Sequence, residues 1–205
     1  MANKSNMSGC LNVLNRSGLE WLVQQYSISS SLNPTLPEKD KVIYPFVPRK
    51  VGVYTGMFDY CNYRIPLTKF LIRVLMFHEV HLSQMNPFGL AKVCQFELAC
   101  RGLELDPDLD VFRAFYKLNQ TGDWYTFEVW NKNATCFSWI TPSLNDWKDR
   151  FFLVDDRCVP AEMAWRLRRS HLPEDFQFNK TLYAALIKEA GRIQKFSEHI
   201  LVMEG

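Results

Sequence analysis

The 205-residue chain lacks any long apolar run, and its first twenty residues, MANKSNMSGCLNVLNRSGLE, contain no hydrophobic stretch of the 7 to 15 residues that a secretory signal needs. The most apolar segment, FLIRVLMF from Phe70 to Phe77, is short and is broken by Arg73. A membrane-spanning helix of about 20 residues is thereby excluded. Charge of one sign is also missing: 24 basic against 22 acidic side chains leave +2, so no bulk field advertises a polyanion or an acidic lipid surface. The six cysteines, at 10, 61, 94, 100, 136 and 158, show no C-x-x-C spacing. In the intracellular, reducing setting that the absent signal implies, they read as free and mostly buried thiols, and the Asn-x-Ser/Thr matches carry no glycan. Repeats of solenoid period and low-complexity tracts are absent as well.

What is present is a core. Hydrophobic residues make up 47% of the chain, with 15 Phe, 8 Tyr and 6 Trp, enough to fill one domain of ordinary size. Residues 1–16, rich in Asn and Ser, are expected to form a flexible leader, and residues 17–205 a single globular domain. Ser17 is a candidate N-cap for the helix GLEWLVQQY, and the prolines of SLNPTLPEKD end it in a linker. From Pro66 the apolar positions Leu67, Phe70, Leu71, Val74, Leu75, His78 and Leu82 recur at helical spacing. Asn86-Pro87 opens a second helix that runs to about Arg101, with Gly102 as its stop. That helix is apolar nearly all round, which makes it the buried, central one. A third helix is expected from about Asp108 to Leu118.

After Gly122 the period changes to two. WYTFEVW, NKN and ATCFSWI read as a β-hairpin, RFFLV as a further strand, and residues 124–155 together as a small antiparallel sheet. An amphipathic helix over about 179–203, interrupted at Gly191, closes the chain. Helices, then a small sheet, then a helix make an α+β fold.

Several patterns invite a chemical reading. In FFLVDD, a strand runs into Asp155 and Asp156, as polymerases present the carboxylates that hold magnesium. That chemistry needs a third acid, for which Asp59 is the candidate, and an aromatic two positions before the first aspartate, where Leu153 stands. The pair therefore reads as a strand end turning into solvent. Asp59, Asp106 and Glu128 can be drawn as a three-carboxylate set, but no local spacing links them. ELDPDLD opens like a calcium loop from Asp106, yet Val111 and Lys117 occupy its glycine and glutamate positions, so Asp108 or Asp110 reads better as a helix cap. His78 and His81 share a helix face, but Cys94 and Cys100, six residues apart, point roughly 120° from each other and do not complete a zinc site. No metal, cofactor or catalytic residue is assigned. The best binding candidate is WRLRRSH, where Arg166, Arg168 and Arg169 beside Trp165 suit phosphates and a stacked base.

The blocks VGVYTGMFDYCNYRIPLTKFL, VHLSQMNPFGLAKVCQFELACRG, DVFRAFYKL, GDWYTFEVW and LNDWKDRFFLVDD together resemble the plant family of gypsy-type transposon domains. The resemblance runs from about residue 17 to residue 205. Cys61 and Tyr63 stand where that family tends to have Ala and Phe, and the stretch after Trp165 is shorter than in many members. It implies an origin in long-terminal-repeat retroelements and brings no active residue with it. The expected function is a non-catalytic structural or interaction domain that works by self-association or protein-partner binding. A nucleic-acid-binding module using the arginine cluster is the alternative, and a metal-dependent enzyme of element mobility comes third.

Overall fold

The computed structural model describes residues 6–38, 42–43, 47–61, 63–130, 146–166 and 180–193. Among these residues it is α+β, with six helices and two small antiparallel sheets. The helices are α1 (Arg16–Gln25), α2 (Gly56–Cys61), α3 (Lys69–Phe77), α4 (Pro87–Gly102), α5 (Leu109–Phe115) and α6 (Lys180–Ile193). The strands are β1 (Lys50–Tyr54), β2 (Tyr116–Thr121), β3 (Trp124–Val129) and β4 (Phe151–Asp155). None of the described helices is long and apolar enough to cross a membrane.

The middle of the fold is α4, as its all-round apolar sequence predicts. Asn86 caps it by accepting the Phe88 N–H at 2.8 Å, and Pro87 takes the first helical position, where a missing N–H costs nothing. No residue from Pro87 to Cys100 is exposed. The helix packs on α2, α3, α6 and β3, and Gly89 marks its closest approach: a Cβ there would lie 2.8 Å from the Cα of Thr126 and 3.1 Å from the amide nitrogen of Phe127. Helix α3 is capped by Thr68, whose hydroxyl accepts the Leu71 N–H at 3.1 Å. It is shorter than its apolar pattern suggests, because Glu79 turns to a positive φ of 51° and Leu82 belongs to a separate 3-10 turn, Leu82–Gln84.

The strands differ most from the sequence reading. The third helix stops at Phe115, three residues early, and Tyr116 begins β2. Strand β2 pairs with β3 across the two-residue turn Gly122-Asp123, where Gly122 supplies the φ of 62° that such a turn requires. The hairpin partner of WYTFEV is thus the upstream segment YKLNQT; the expected downstream partner, ATCFSWI, lies outside the described residues. Strand β4, expected beside that hairpin, pairs instead with β1, from Lys50↔Asp155 to Tyr54↔Phe151. The sequence reading assigns no element to Lys50–Tyr54. Both faces of this second sheet are covered, so its strands show a continuous apolar run rather than alternation. Gly52 is required on one face, since a Cβ there would sit 2.2 Å from Cγ1 of Ile43. Aromatic contacts join the two sheets: the Trp124 indole N–H donates to the Tyr54 hydroxyl at 2.8 Å, and Trp147 packs edge-on against Tyr54 at 4.8 Å between ring centres.

Both ends of the described chain are tied in. Residues 6–16, expected to fray, run along the core: Met7 and Cys10 are buried, the Met7 amide donates to the Asp123 carboxylate at 2.7 Å, and the Val13 amide donates to the Asp149 carbonyl at 2.8 Å. The cap of α1 is Asn15, whose side chain accepts the Gly18 N–H at 2.9 Å; Ser17 hydrogen-bonds to that same Asn15 side chain. Helix α6 seats Leu186 in the core and stacks Tyr183 on Phe115 at 4.7 Å. It continues through Gly191 to Ile193; residues 194–205 lie outside the described residues.

Candidate functional site

The two aspartates of FFLVDD sit at the Lys50 end of the β1–β4 sheet. Asp155 accepts from the Lys50 ammonium at 2.8 Å and from Arg157 at 3.3 Å, and the hydrogen bond from Lys50 holds its carboxyl below the usual range. Asp59, the candidate third acid, lies in α2, beyond the opposite end of β1, and accepts the Tyr26 hydroxyl at 2.6 Å. At about 3.3 Å per residue the length of the strand separates it from the pair. Glu128 accepts from Asn119 on the neighbouring strand at 2.7 Å. Among the described residues, no three acids, histidines or cysteines are grouped to hold a metal ion.

The acidic stretch before α5 behaves as helix capping. Asp108 accepts the Val111 N–H at 2.8 Å, and Asp110 pairs with Arg113 at 2.7 Å. Replacing Asp108 by Ala is expected to cost about 1 kcal/mol, measured as a lowered midpoint in urea unfolding with no change in slope.

His78 and His81 do not share a function. His78 caps the C-terminus of α3, is 4% exposed, and packs edge-on against Phe127 at 5.1 Å. Neither of its ring nitrogens has a partner among the described residues. Burial, reinforced by the guanidinium groups of Arg113 and Arg166, pushes its pKa down to about 3, so it is neutral. His81 opens the 3-10 turn: its Nδ1 accepts the Ser83 N–H at 3.2 Å, and burial lowers its pKa to about 4. Burial pushes the Cys94 and Cys100 thiols up to about 12, and the buried Cys61 thiol is raised well above its ordinary value and donates to the Pro87 carbonyl at 2.9 Å. These are protonated thiols, poor as nucleophiles and as metal ligands. None of the five described cysteines is joined in a disulfide; Cys136 lies outside the described residues.

Within the arginine cluster, Arg166 turns inward. Its side chain is 5% exposed, its guanidinium donates to the His78 carbonyl and lies 5.5 Å from the centre of the Tyr125 ring, and Glu79 is 3.9 Å away. The backbone there is clamped by Gln84, which accepts the Arg166 N–H at 2.8 Å and donates to its carbonyl at 2.9 Å. Arg166 is thus a clasp between the segment 163–166 and the end of α3. Arg168 and Arg169 lie outside the described residues.

The clasp fixes the neighbouring Trp165, half-buried, with its ring 5.6 Å from that of His81. Trp165 stands between two clefts. One, of about 480 Å³, is lined by Leu75, Met76, Val80 and Glu162. The other, of about 360 Å³, brings Arg49, Lys50, Asp156 and Arg157 to the indole and His81. Sequence reasoning missed Arg49, Lys50 and Arg157. Arg49 precedes β1, Lys50 is its first residue, Arg157 follows β4, and only the pairing of those strands assembles them. The sequence signal available was the basic pair Arg49-Lys50 ahead of VGVY. Arg49 has a positive φ of 60°, uncommon for a residue with a side chain, and its carbonyl accepts the Asp156 N–H at 3.0 Å.

Residues 53–120, about one third of the chain, match the sequence profile of the family described as "Putative gypsy type transposon". The match runs from within β1 through α2, α3, α4 and α5 into β2, and so takes in the central helix and three of the five sequence blocks in whole or in part. FFLVDD and the arginine cluster fall outside it. No curated protein and no solved structure matches the chain.

Proposed function

From the likeness of residues 53–120 to gypsy-type transposons, we propose that the chain is a non-catalytic structural or interaction domain of plant retrotransposon origin, acting through self-association. The observation that carries this reading is Trp130. It is 63% exposed, yet its indole N–H donates to the Arg113 carbonyl at 2.9 Å and the Lys117 ammonium lies 5.4 Å from the ring centre. An aromatic side chain held in one orientation has already lost its rotamer freedom, so contact with a partner costs less entropy. Tryptophan is enriched among the residues that dominate binding energy. Trp21, 55% exposed and edge-on to Tyr26 at 6.2 Å, is a second such ring on α1. The reading gains further support from Asp108, Asp110, Asp155, Cys61 and Cys100, which are taken up in a cap, ion pairs and core packing.

Sedimentation equilibrium over a concentration series tests it. The parent chain is expected to associate reversibly, and Trp130→Ala to weaken that association by about thirtyfold, as for a residue worth 2 kcal/mol. A parent that stays monomeric at the highest concentration would end the self-association reading. The second reading, nucleic-acid contact, draws on Arg168 and Arg169 in the sequence and on the basic cleft beside Trp165.

A further inference from the structure

We propose that the cleft between the Lys50 end of the β1–β4 sheet and the segment 163–166 binds a nucleotide unit, an aromatic base carrying a phosphate. Its volume of about 360 Å³ falls within the roughly 300–1,000 Å³ of small-ligand sites. Trp165 forms one wall, backed by His81 at 5.6 Å and locked by the Gln84 clamp on the next residue. His81 is neutral behind it, so the wall is a flat aromatic surface without charge of its own. Such a surface stacks a base of any sequence. Arg49 and Arg157 supply the phosphate donors, because guanidinium groups meet phosphate oxygens in a fork of parallel hydrogen bonds.

The charge distribution selects one phosphate rather than a long polyanion. Lys50 is engaged by Asp155 at 2.8 Å and by the Asn33 carbonyl at 2.9 Å, so it orients the rim. Arg157 contacts Asp155 through one nitrogen at 3.3 Å, with its side chain 58% exposed. The Arg49 side chain is exposed and has no partner among the described residues. Asp156 also lines the cleft. Arg49, Lys50 and Arg157 against Asp155 and Asp156 leave one positive charge, which one phosphodiester neutralises and one phosphomonoester, at about −1.5 to −2, already exceeds. An acidic peptide would match the charge but leave the indole without a flat partner.

The ligand chemistry has two sources, a free nucleotide and a nucleotide within a single strand, and the test separates them. Calorimetric titration with UMP and AMP is run beside fluorescence anisotropy with labelled oligouridylate and oligothymidylate, all at low salt. Binding of at least one probe is expected, and the double variant Arg49→Gln/Arg157→Gln is expected to weaken it at least tenfold while its thermal unfolding matches the parent. Binding of the mononucleotide assigns the free ligand. Binding of the strand alone assigns the nucleic acid, and the salt slope of log affinity then falls by roughly 0.7 for each phosphate contact removed. Failure of every probe to bind at low salt overturns the proposal. So does a double variant that binds like the parent, including the case in which only Arg168→Gln/Arg169→Gln loses binding.

Discussion

Lowering the pH from 7 to 5 is expected to reduce the free energy of unfolding by about 4 kcal/mol, near 2 kcal/mol from each of His78 and His81. Both imidazoles are held neutral by burial, with pKa values lowered to about 3 and about 4. In the unfolded chain they take up protons near pH 6.5, while the folded chain does not. The unfolded state therefore binds more protons throughout the interval, and stability falls as the pH drops from 6.5 toward those lowered values. The loss comes earlier than that of the Lys50–Asp155 ion pair, because Asp155 titrates below the usual carboxylate range. Urea unfolding at pH 7, 6 and 5 measures the effect. His78→Leu separates the two histidines. Removing two buried nitrogens without partners among the described residues is expected to raise stability at pH 7 by about 1–3 kcal/mol and to halve the acid loss. A variant with the parent's full pH dependence would show that His78 is not its source.

Gly89→Val is expected to be the most damaging single substitution in α4, costing 3 kcal/mol or more. Even the Cβ of alanine would stand 2.8 Å from the Thr126 Cα and 2.9 Å from the Met85 sulfur. The methionine can swing away, but the strand backbone cannot without moving β3, and with it Phe127 and Trp124. Gly89→Ala is accordingly expected to destabilise by about 1–3 kcal/mol, although alanine favours a helix over glycine by about 1 kcal/mol. Gly102 at the other end of the same helix is the control. A Cβ there meets nothing within 4 Å, so Gly102→Ala is expected to be neutral or to stabilise by up to about 1 kcal/mol. Thermal unfolding of the three variants measures the contrast. Equal effects at Gly89 and Gly102 would mean that α4 does not press on β3.

The elements legible in the sequence were those whose signals are local. Asn86-Pro87, an apolar run and Gly102 bracket α4 within a residue, because capping and the loss of proline's N–H act over one helical turn. Asp108 was readable as a cap for the same reason. The segment FRAFYKL, by contrast, satisfies a helical period and an alternating one, and the helix yields to the strand at Tyr116 because the Gly122 turn brings β3 alongside. The clasp at Arg166 could not be anticipated either. A basic residue among basic residues reads as a solvated one, and only the carbonyl of His78, the ring of Tyr125 and the Gln84 clamp draw it inside.

The sequence by itself determined the α+β class, the central helix, its caps and the likeness that the family match supports over residues 53–120. Each rests on interactions between residues a few positions apart, or on the order of blocks along the chain. The tertiary structure alone decided that Lys50–Tyr54 is a strand, that it lies beside Phe151–Asp155, and that Arg49 and Arg157 meet Trp165 across a cleft. Strand pairing across about a hundred residues leaves no local signal, since each strand supplies half of the hydrogen bonds and neither half specifies its partner. FFLVDD shows both sides of this division: its apolar run announced a buried strand, but only the pairing with Lys50 showed that Asp155 closes an ion pair at the rim of the cleft.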